Sequence, residues 1–199
     1  MSAPRAASRS RRLQDVSLPV AIRPAEPGDA GRIAAIYDEG IASGIATFAT
    51  GPHTAEERRA WLRARGPRAP VVVAVRDGEV IGWGALAPFS HRPWYDGVAE
   101  YTAYVAREAR GAGVGRALLD HLIELAPRLG YWKLVGMIFP ENAAGLALAR
   151  SAGFVVVGTH RAHARREGAW RDVTLVELHL DAAVRSELRD GTGSARLTQ

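Results

Sequence analysis

The chain has 199 residues, of which 47% are apolar and 24% charged, with a formal net charge of +5 and no cysteine. That length predicts one domain of ordinary size with short appendages, and the composition is that of a globular protein. The missing thiol excludes disulfides, thiolate metal sites and any sulfur nucleophile, and no run reaches the roughly 18 consecutive apolar residues of a membrane-spanning helix.

In chain order, residues 1–18 come first: rich in Ser, Ala and Arg, without hydrophobic periodicity, and expected to be a disordered tail. Arg5, Arg9, Arg11 and Arg12 put most of the positive excess there, which leaves the body close to balanced. A nucleic-acid binder concentrates charge on its folded face, so no nucleic-acid partner is expected. The same run has no apolar core, so it does not read as a secretory signal, and a cytoplasmic location without membrane contact follows as the plain expectation. Lys133 is the sole lysine, and the surplus of arginine reads as compositional bias.

A single domain is expected over 19–181. Val20-Ala21-Ile22 reads as a short strand closed by Pro24, and Asp29 precedes an apolar pattern at Ile33, Ile36 and Tyr37 that suits a helix. A loop rich in Gly, Ala and Thr follows. Thr54 with Glu57 then makes a capping box for a second helix carrying Trp61 and Leu62. Val71 to Val75 is a strand, Asp77-Gly78 a hairpin signal, and Val80 to Trp83 the returning strand. A third strand pattern spans Val98 to Val105. Beyond it, Val114, Leu118, Leu122 and Leu125 mark one face of a helix. Trp132 to Ile138 reads as a strand, and Asn142 to Ala152 as a helix ended by Gly153. Phe154 to Val157 and Val173 to Leu180 complete the sheet, and Gly191-Thr192-Gly193-Ser194 dissolves what remains in a tail over 182–199. Hairpins join some strands and helices separate others, so the fold class is α/β (α+β), a mixed sheet with helices on both faces.

Arg110-Gly111-Ala112-Gly113-Val114-Gly115-Arg116 lies at a strand-to-helix junction. Glycines spaced by two there let the backbone approach a phosphate and leave N–H groups aimed at it, with the helix dipole adding positive charge. No Gly-Lys-Ser/Thr follows, so it is not a Walker loop, and its position in mid-chain and its glycine spacing differ from the dinucleotide fingerprint.

This segment resembles the acyl-CoA pyrophosphate loop of the GNAT N-acetyltransferases. Ile22-Arg23-Pro24-Ala25 is similar to their first strand, and Asn142 with Gly153-Phe154 to their CoA-contacting asparagine and following strand. Arg92-Pro93-Trp94-Tyr95, Val98-Ala99-Glu100, Tyr104-Val105 and Gly168-Ala169-Trp170-Arg171-Asp172 resemble the phosphinothricin and methionine-sulfoximine acetyltransferase branch, so the likeness spans about residues 20–180.

The resemblance implies direct transfer of acetyl from acetyl-CoA, as co-substrate and without a metal, to a small-molecule amine, in a homodimer. It implies acetyl-CoA contacts at Ala103, Tyr104, Val105, Arg110, Gly111, Ala112, Gly113, Val114, Gly115, Arg116 and Asn142. Strand alternation sets Val98, Glu100, Thr102 and Tyr104 on one face, and Glu100 is the expected base, with Tyr104 or water protonating the leaving thiolate. Arg92 and Arg166 are candidates to clamp a carboxylate or phosphinate, with Phe48, Trp94 and Tyr95 beside the acceptor. Solvated surface for the arginines and ordinary packing for the aromatics are the plain alternatives. Trp170 and Asp172 read as fold or dimer contacts. The six histidines show no metal spacing, and His160 and His163 read as incidental at a strand-to-loop exit.

Four positions depart from the branch: Ala149 stands where it has histidine, Gly145 where it has serine, and Pro93 and Trp94 where it has smaller residues. Two further readings stay open, an acetyltransferase for a polyamine, drug amine or protein N-terminus, and a non-catalytic acyl-CoA-binding module.

Overall fold

Runs of β-branched residues cut by glycine turns set the framework of the sheet. Val71 to Val75 enters β2 (Val71–Arg76), and Asp77 and Gly78, at φ 53° and 82°, reverse the chain into β3 (Glu79–Pro88). Two left-handed residues match a tight hairpin to the right-handed twist of its strands. A computed structural model describes residues 20–182, so the tails expected at 1–18 and beyond Ala182 lie outside the described residues.

The remaining strands are β1 (Ala21–Pro24), β4 (Val98–Val105), β5 (Lys133–Ile138), β6 (Val155–Arg166) and β7 (Ala169–His179). They form one sheet in the order β1-β2-β3-β4-β5-β7-β6. Every neighbouring pair is antiparallel except β4 and β5, which run parallel. The helices are α1 (Ala30–Ala42), α2 (Ala55–Arg63), α3 (Val114–Leu125) and α4 (Ala143–Ser151).

Alternation along β3 divides the helices between the two faces. A Cβ on Gly82 would stand 3.1 Å from Leu118 and 3.2 Å from Val114, and one on Gly84 3.0 Å from Leu122, so bare backbone is what lets α3 lie close. Trp83, between them, points the other way, against Tyr37 of α1, Trp61 of α2 and Tyr104 of β4. The core is continuous across the sheet, with Ile33, Ile36, Leu86, Leu118, Leu122 and Leu134 fully buried. Each removes apolar surface worth about 1.5–3 kcal/mol from water.

Local signals set the helix starts. Thr54 accepts from the Glu57 N–H at 3.1 Å while Glu57 accepts from the Thr54 N–H at 2.7 Å, closing the expected capping box. Asn142 Oδ1 caps α4 by accepting from the Gly145 N–H at 2.9 Å.

The last hairpin is longer than expected. Its strands continue to Arg166 and from Ala169, joined through Glu167 and Gly168 at φ 52° and 81°. His160 and His163 therefore sit within β6 rather than at a loop exit, with ring centroids 4.7 Å apart. As an exposed edge strand, β6 has no apolar face to bury, so the period-two signal is missing. Asp172 accepts from the Ala162 N–H at 2.8 Å, holding the bulge where Ala162 adopts φ 46°.

Candidate active site

The sheet splits where β4 meets β5. Parallel pairing covers only Val98, Glu100 and the residue between them, while β5 stays paired with β7 through Ile138 and β4 stays paired with β3 to Val105. The Ala106 N–H donates to Ile81 and the Val98 carbonyl accepts from Phe89, both at 3.0 Å. With a period of two, even-numbered residues of β4 therefore direct their backbone groups to β3. The N–H groups of Ala103 and Val105 point instead into the gap that β5 leaves. The Val105 carbonyl accepts from Arg110 Nε at 3.1 Å.

A cavity of about 470 Å³ runs from this gap over the start of α3, lined by Ala103, Tyr104, Val105, Arg110, Gly111, Gly113, Val114, Gly115, Arg116 and Asn142. Of the expected acyl-CoA contacts, only Ala112 is off this wall. Gly111 and Gly113 have φ 77° and 79°, with nothing within 4 Å of where a Cβ would sit, so the turn presents bare backbone before the first turn of α3. Unpaired N–H groups at that helix end suit a diphosphate. Gly115 brings α4 close, since its Cβ would lie 3.1 Å from Leu148. Arg116 is anchored on Asp120 and the Ser151 carbonyl.

A second cavity of about 270 Å³ occupies the split itself, between Phe48, Glu100, Thr102, Phe139, Gly145 and Leu148. A third, of about 320 Å³, lies on the α1/α2 face and shares Thr47, Glu100, Thr102 and Tyr104 with it. Glu100 thus stands in the wall between two cavities, half-buried and, among the described residues, without a hydrogen-bond or ion-pair partner. Burial pushes its carboxyl above the usual carboxylate range, because the charged form loses water. A lone carboxylate with raised proton affinity at such a wall is suited to accept a proton from a bound amine.

Tyr104 is placed differently from a free acid. Its hydroxyl donates to the Ala46 carbonyl at 3.1 Å, and its ring stacks on Trp83 at 4.9 Å, with burial pushing the phenol pKa up. Gly40 makes room, since a Cβ there would meet the ring at 2.9 Å. Ala149 is fully buried and lines neither cavity beside it; Leu148 faces both.

On the acceptor side the structure brings in Phe48, edge-on to Phe139 at 4.7 Å. Arg92, Trp94 and Tyr95 sit on the exposed connection between β3 and β4 and line none of the three cavities. Arg166 lies under the end of α1, donating to the Ile41 carbonyl at 3.2 Å and pairing with Glu167 at 2.6 Å, and also lines none. Sequence reasoning missed Arg58, Trp83, Thr47 and Thr102 in the cavity walls. Only Thr102 carried a signal, its alternation with Glu100; the others arrive by packing of α1 and α2.

Residues 33–154 match the family described as acetyltransferase (GNAT). The L-methionine sulfoximine/L-methionine sulfone acetyltransferase of Pseudomonas paraeruginosa is 32% identical over 162 residues, covering 80% of this chain and 94% of that protein. The phosphinothricin N-acetyltransferase of Streptomyces coelicolor is 32% identical over 162 residues, covering 79% and 95%. Among solved structures, a GNAT superfamily phosphinothricin acetyltransferase from Sinorhizobium meliloti, in complex with AcCoA, superposes with a TM-score of 0.75 at 30% identity, covering 80% of this chain and 88% of that one.

Proposed function

The chain belongs to the GNAT family of acetyltransferases, and we propose that it moves acetyl from acetyl-CoA directly to the primary amine of a small amino-acid-like acceptor such as phosphinothricin or methionine sulfoximine. The observation that carries the reading is Glu100, an unpaired carboxyl of raised proton affinity in the wall between two cavities. The substrate class rests on the relatives, which are named for those acceptors.

The residues fit acetyl-CoA on an observation of this fold: a bare-backbone turn at Gly111 and Gly113 opens α3 and continues into the cleft beside β4. When bound, it supplies an activated thioester carbonyl. The turn and the first N–H groups of α3 would hold the diphosphate, with Arg110 and Arg116 at its flanks. The Ala103 and Val105 N–H groups would orient the chain leading to the thioester and donate where the carbonyl oxygen gains charge. An amine arrives largely protonated, and Glu100 takes that proton directly or through water, freeing the lone pair for attack. Tyr104, tied to Ala46, is then a positioning residue in this reading, and water is the proton source for the departing thiolate, the step that needs least help.

A second copy of the chain belongs to the proposal. Trp94, 68% exposed, Tyr95 and Phe89 gather on one loop, and Arg165 covers exposed Trp170 at 4.3 Å. A twofold contact would bury these and bring Arg92 and the loop to an acceptor site. No helix among the described residues is long and apolar enough to cross a membrane.

The experiment is thiol release from acetyl-CoA against phosphinothricin, methionine sulfoximine, standard amino acids, spermidine and a short peptide. Turnover with the first two is expected. Turnover confined to spermidine or the peptide would overturn the acceptor class, and acetyl-CoA binding without turnover on any amine would favour a binding module.

A further inference from the structure

The cavity on the α1/α2 face contains a cation that the fold leaves unanswered. Arg58, on α2, is only 8% exposed, and its guanidinium lies 4.2 Å over the Tyr37 ring centroid and 5.3 Å from that of Trp61. Buried arginines are ordinarily paired with carboxylates, because an unpaired ion loses its water without recompense. Here the neighbouring acids are engaged elsewhere. Glu56 holds Arg59 and Arg63, Glu57 is committed to the capping box with Thr54, and Asp38 accepts from the His53 N–H. Among the described residues Arg58 has no side-chain hydrogen bond or ion pair, and its Nε is buried without a partner.

A second orphan donor shares the same wall. Trp83 Nε1 is buried and unpartnered, and it lines this cavity together with Arg58. Arg65, in the same wall, is the contrast: it spends its donors on the Ala69 and Leu86 carbonyls. Among the described residues Glu100 is the only acid in the wall. The cavity therefore offers unsatisfied donors at one place, a proton acceptor at another, and an opening past Thr102 toward the split strand.

We infer that Arg58 binds an anionic group of the acceptor, a carboxylate or phosphinate, and so orients the amine toward Glu100; this rests on the amino-acid-like acceptor proposed above. The guanidinium fork matches either oxyanion in two parallel hydrogen bonds. The stack on Tyr37 and Trp61 holds the fork in place before the acceptor arrives, which lowers the entropy cost of binding. Arg58 thereby takes the role expected of Arg92 and Arg166, which line none of the three cavities described.

The test is isothermal titration of the full chain, saturated with coenzyme A, with phosphinothricin, L-methionine sulfone and the carboxamide of each. Arg58→Met keeps the stack but not the charge, and Arg58→Lys keeps the charge but not the fork. Loss of a charge-assisted pair predicts affinities about 10- to 100-fold weaker for Arg58→Met, with Arg58→Lys between it and wild type and coenzyme A affinity unchanged. If the carboxylate is the group, both acids weaken and both carboxamides bind poorly to wild type. If the phosphinate is the group, phosphinothricin and its carboxamide weaken together while methionine sulfone is indifferent to Arg58. Should Arg58→Met fail to fold, Arg58→Lys carries the same comparison, joined in the carboxylate case by the wild-type preference for acid over carboxamide. Undiminished binding of both acids by the variants overturns the inference and leaves the transfer reaction standing. A wild type that binds the acids through Arg58 but acetylates neither overturns the reaction and leaves the subsite, and one that binds neither acid overturns both.

Discussion

Single side chains in the site divide into those that are free to react and those already spent. Among the described residues Glu100 has no hydrogen-bond or ion-pair partner, whereas the Tyr104 hydroxyl donates to the Ala46 carbonyl. Tyr104→Phe should therefore lower kcat by less than about tenfold, since a true general acid contributes about 10²–10⁴-fold; a drop of that larger size in a steady-state assay would restore Tyr104 as the acid. Gly145 offers a second test. A Cβ there would stand 2.9 Å from Asn142 Nδ2 and 3.1 Å from its Oδ1, so Gly145→Ala must displace the amide that caps α4. The lost cap costs about 1 kcal/mol and the better helix residue returns about the same. The melting temperature should hardly move while the KM for acetyl-CoA rises; a lowered KM would show that Asn142 is not used in its capping pose.

At the scale of elements, the glycine turn that opens α3 was legible in the sequence because it depends on neighbours in the chain. Gly-x-Gly-x-Gly before an apolar helical stripe, Asp77-Gly78, and Thr54 with Glu57 are all local rules, and each forms the element expected of it. The β6–β7 hairpin was not fully legible, since Glu167 is an unusual residue for φ 52° and β6 buries neither face. Arg58 was unreadable for a different reason: on α2 it looks like one of several surface arginines until α1 supplies Tyr37 beneath it. The turn before α3 yields a backbone prediction. Gly113→Ala forces a Cβ into φ 79°, which costs about 1–2 kcal/mol, although open space surrounds the position. Thermal unfolding should fall accordingly and acetyl-CoA binding should weaken; an unchanged affinity would argue that the turn does not face the diphosphate.

For the whole molecule, the proposed second copy would meet the exposed aromatic loop between β3 and β4. Arg92, Trp94 and Tyr95 stand clear of every cavity described, on a loop whose aromatics are exposed. Trp94→Arg should shift a dimer toward monomer by light scattering and raise the acceptor KM while sparing that for acetyl-CoA. A wild type of monomer mass with full activity would remove the second copy from the account. The sheet split, by contrast, is a property of the single chain, because β5 follows β7 and β4 follows β3. That split opens one of the two cavities beside Glu100, and the packing of α1 and α2 frames the other.

The charge state of Glu100 has opposite consequences for stability and for rate. Its carboxyl is raised by burial, so the folded chain holds a proton that the unfolded chain releases earlier, and stability declines as pH rises from the ordinary carboxylate range through the raised value. Activity needs the deprotonated form and should climb over that same interval. The most direct measurement is therefore the pH profile of kcat/KM for acetyl transfer in wild type and Glu100→Gln, with acetyl-CoA affinity measured alongside. In wild type an acid limb should lie above the ordinary carboxylate range. In Glu100→Gln that limb should vanish, with turnover down about 10²–10⁴-fold, acetyl-CoA affinity intact and thermal stability at neutral pH equal or higher. A Glu100→Gln enzyme that keeps both its turnover and its acid limb would contradict the assignment of Glu100 as the base.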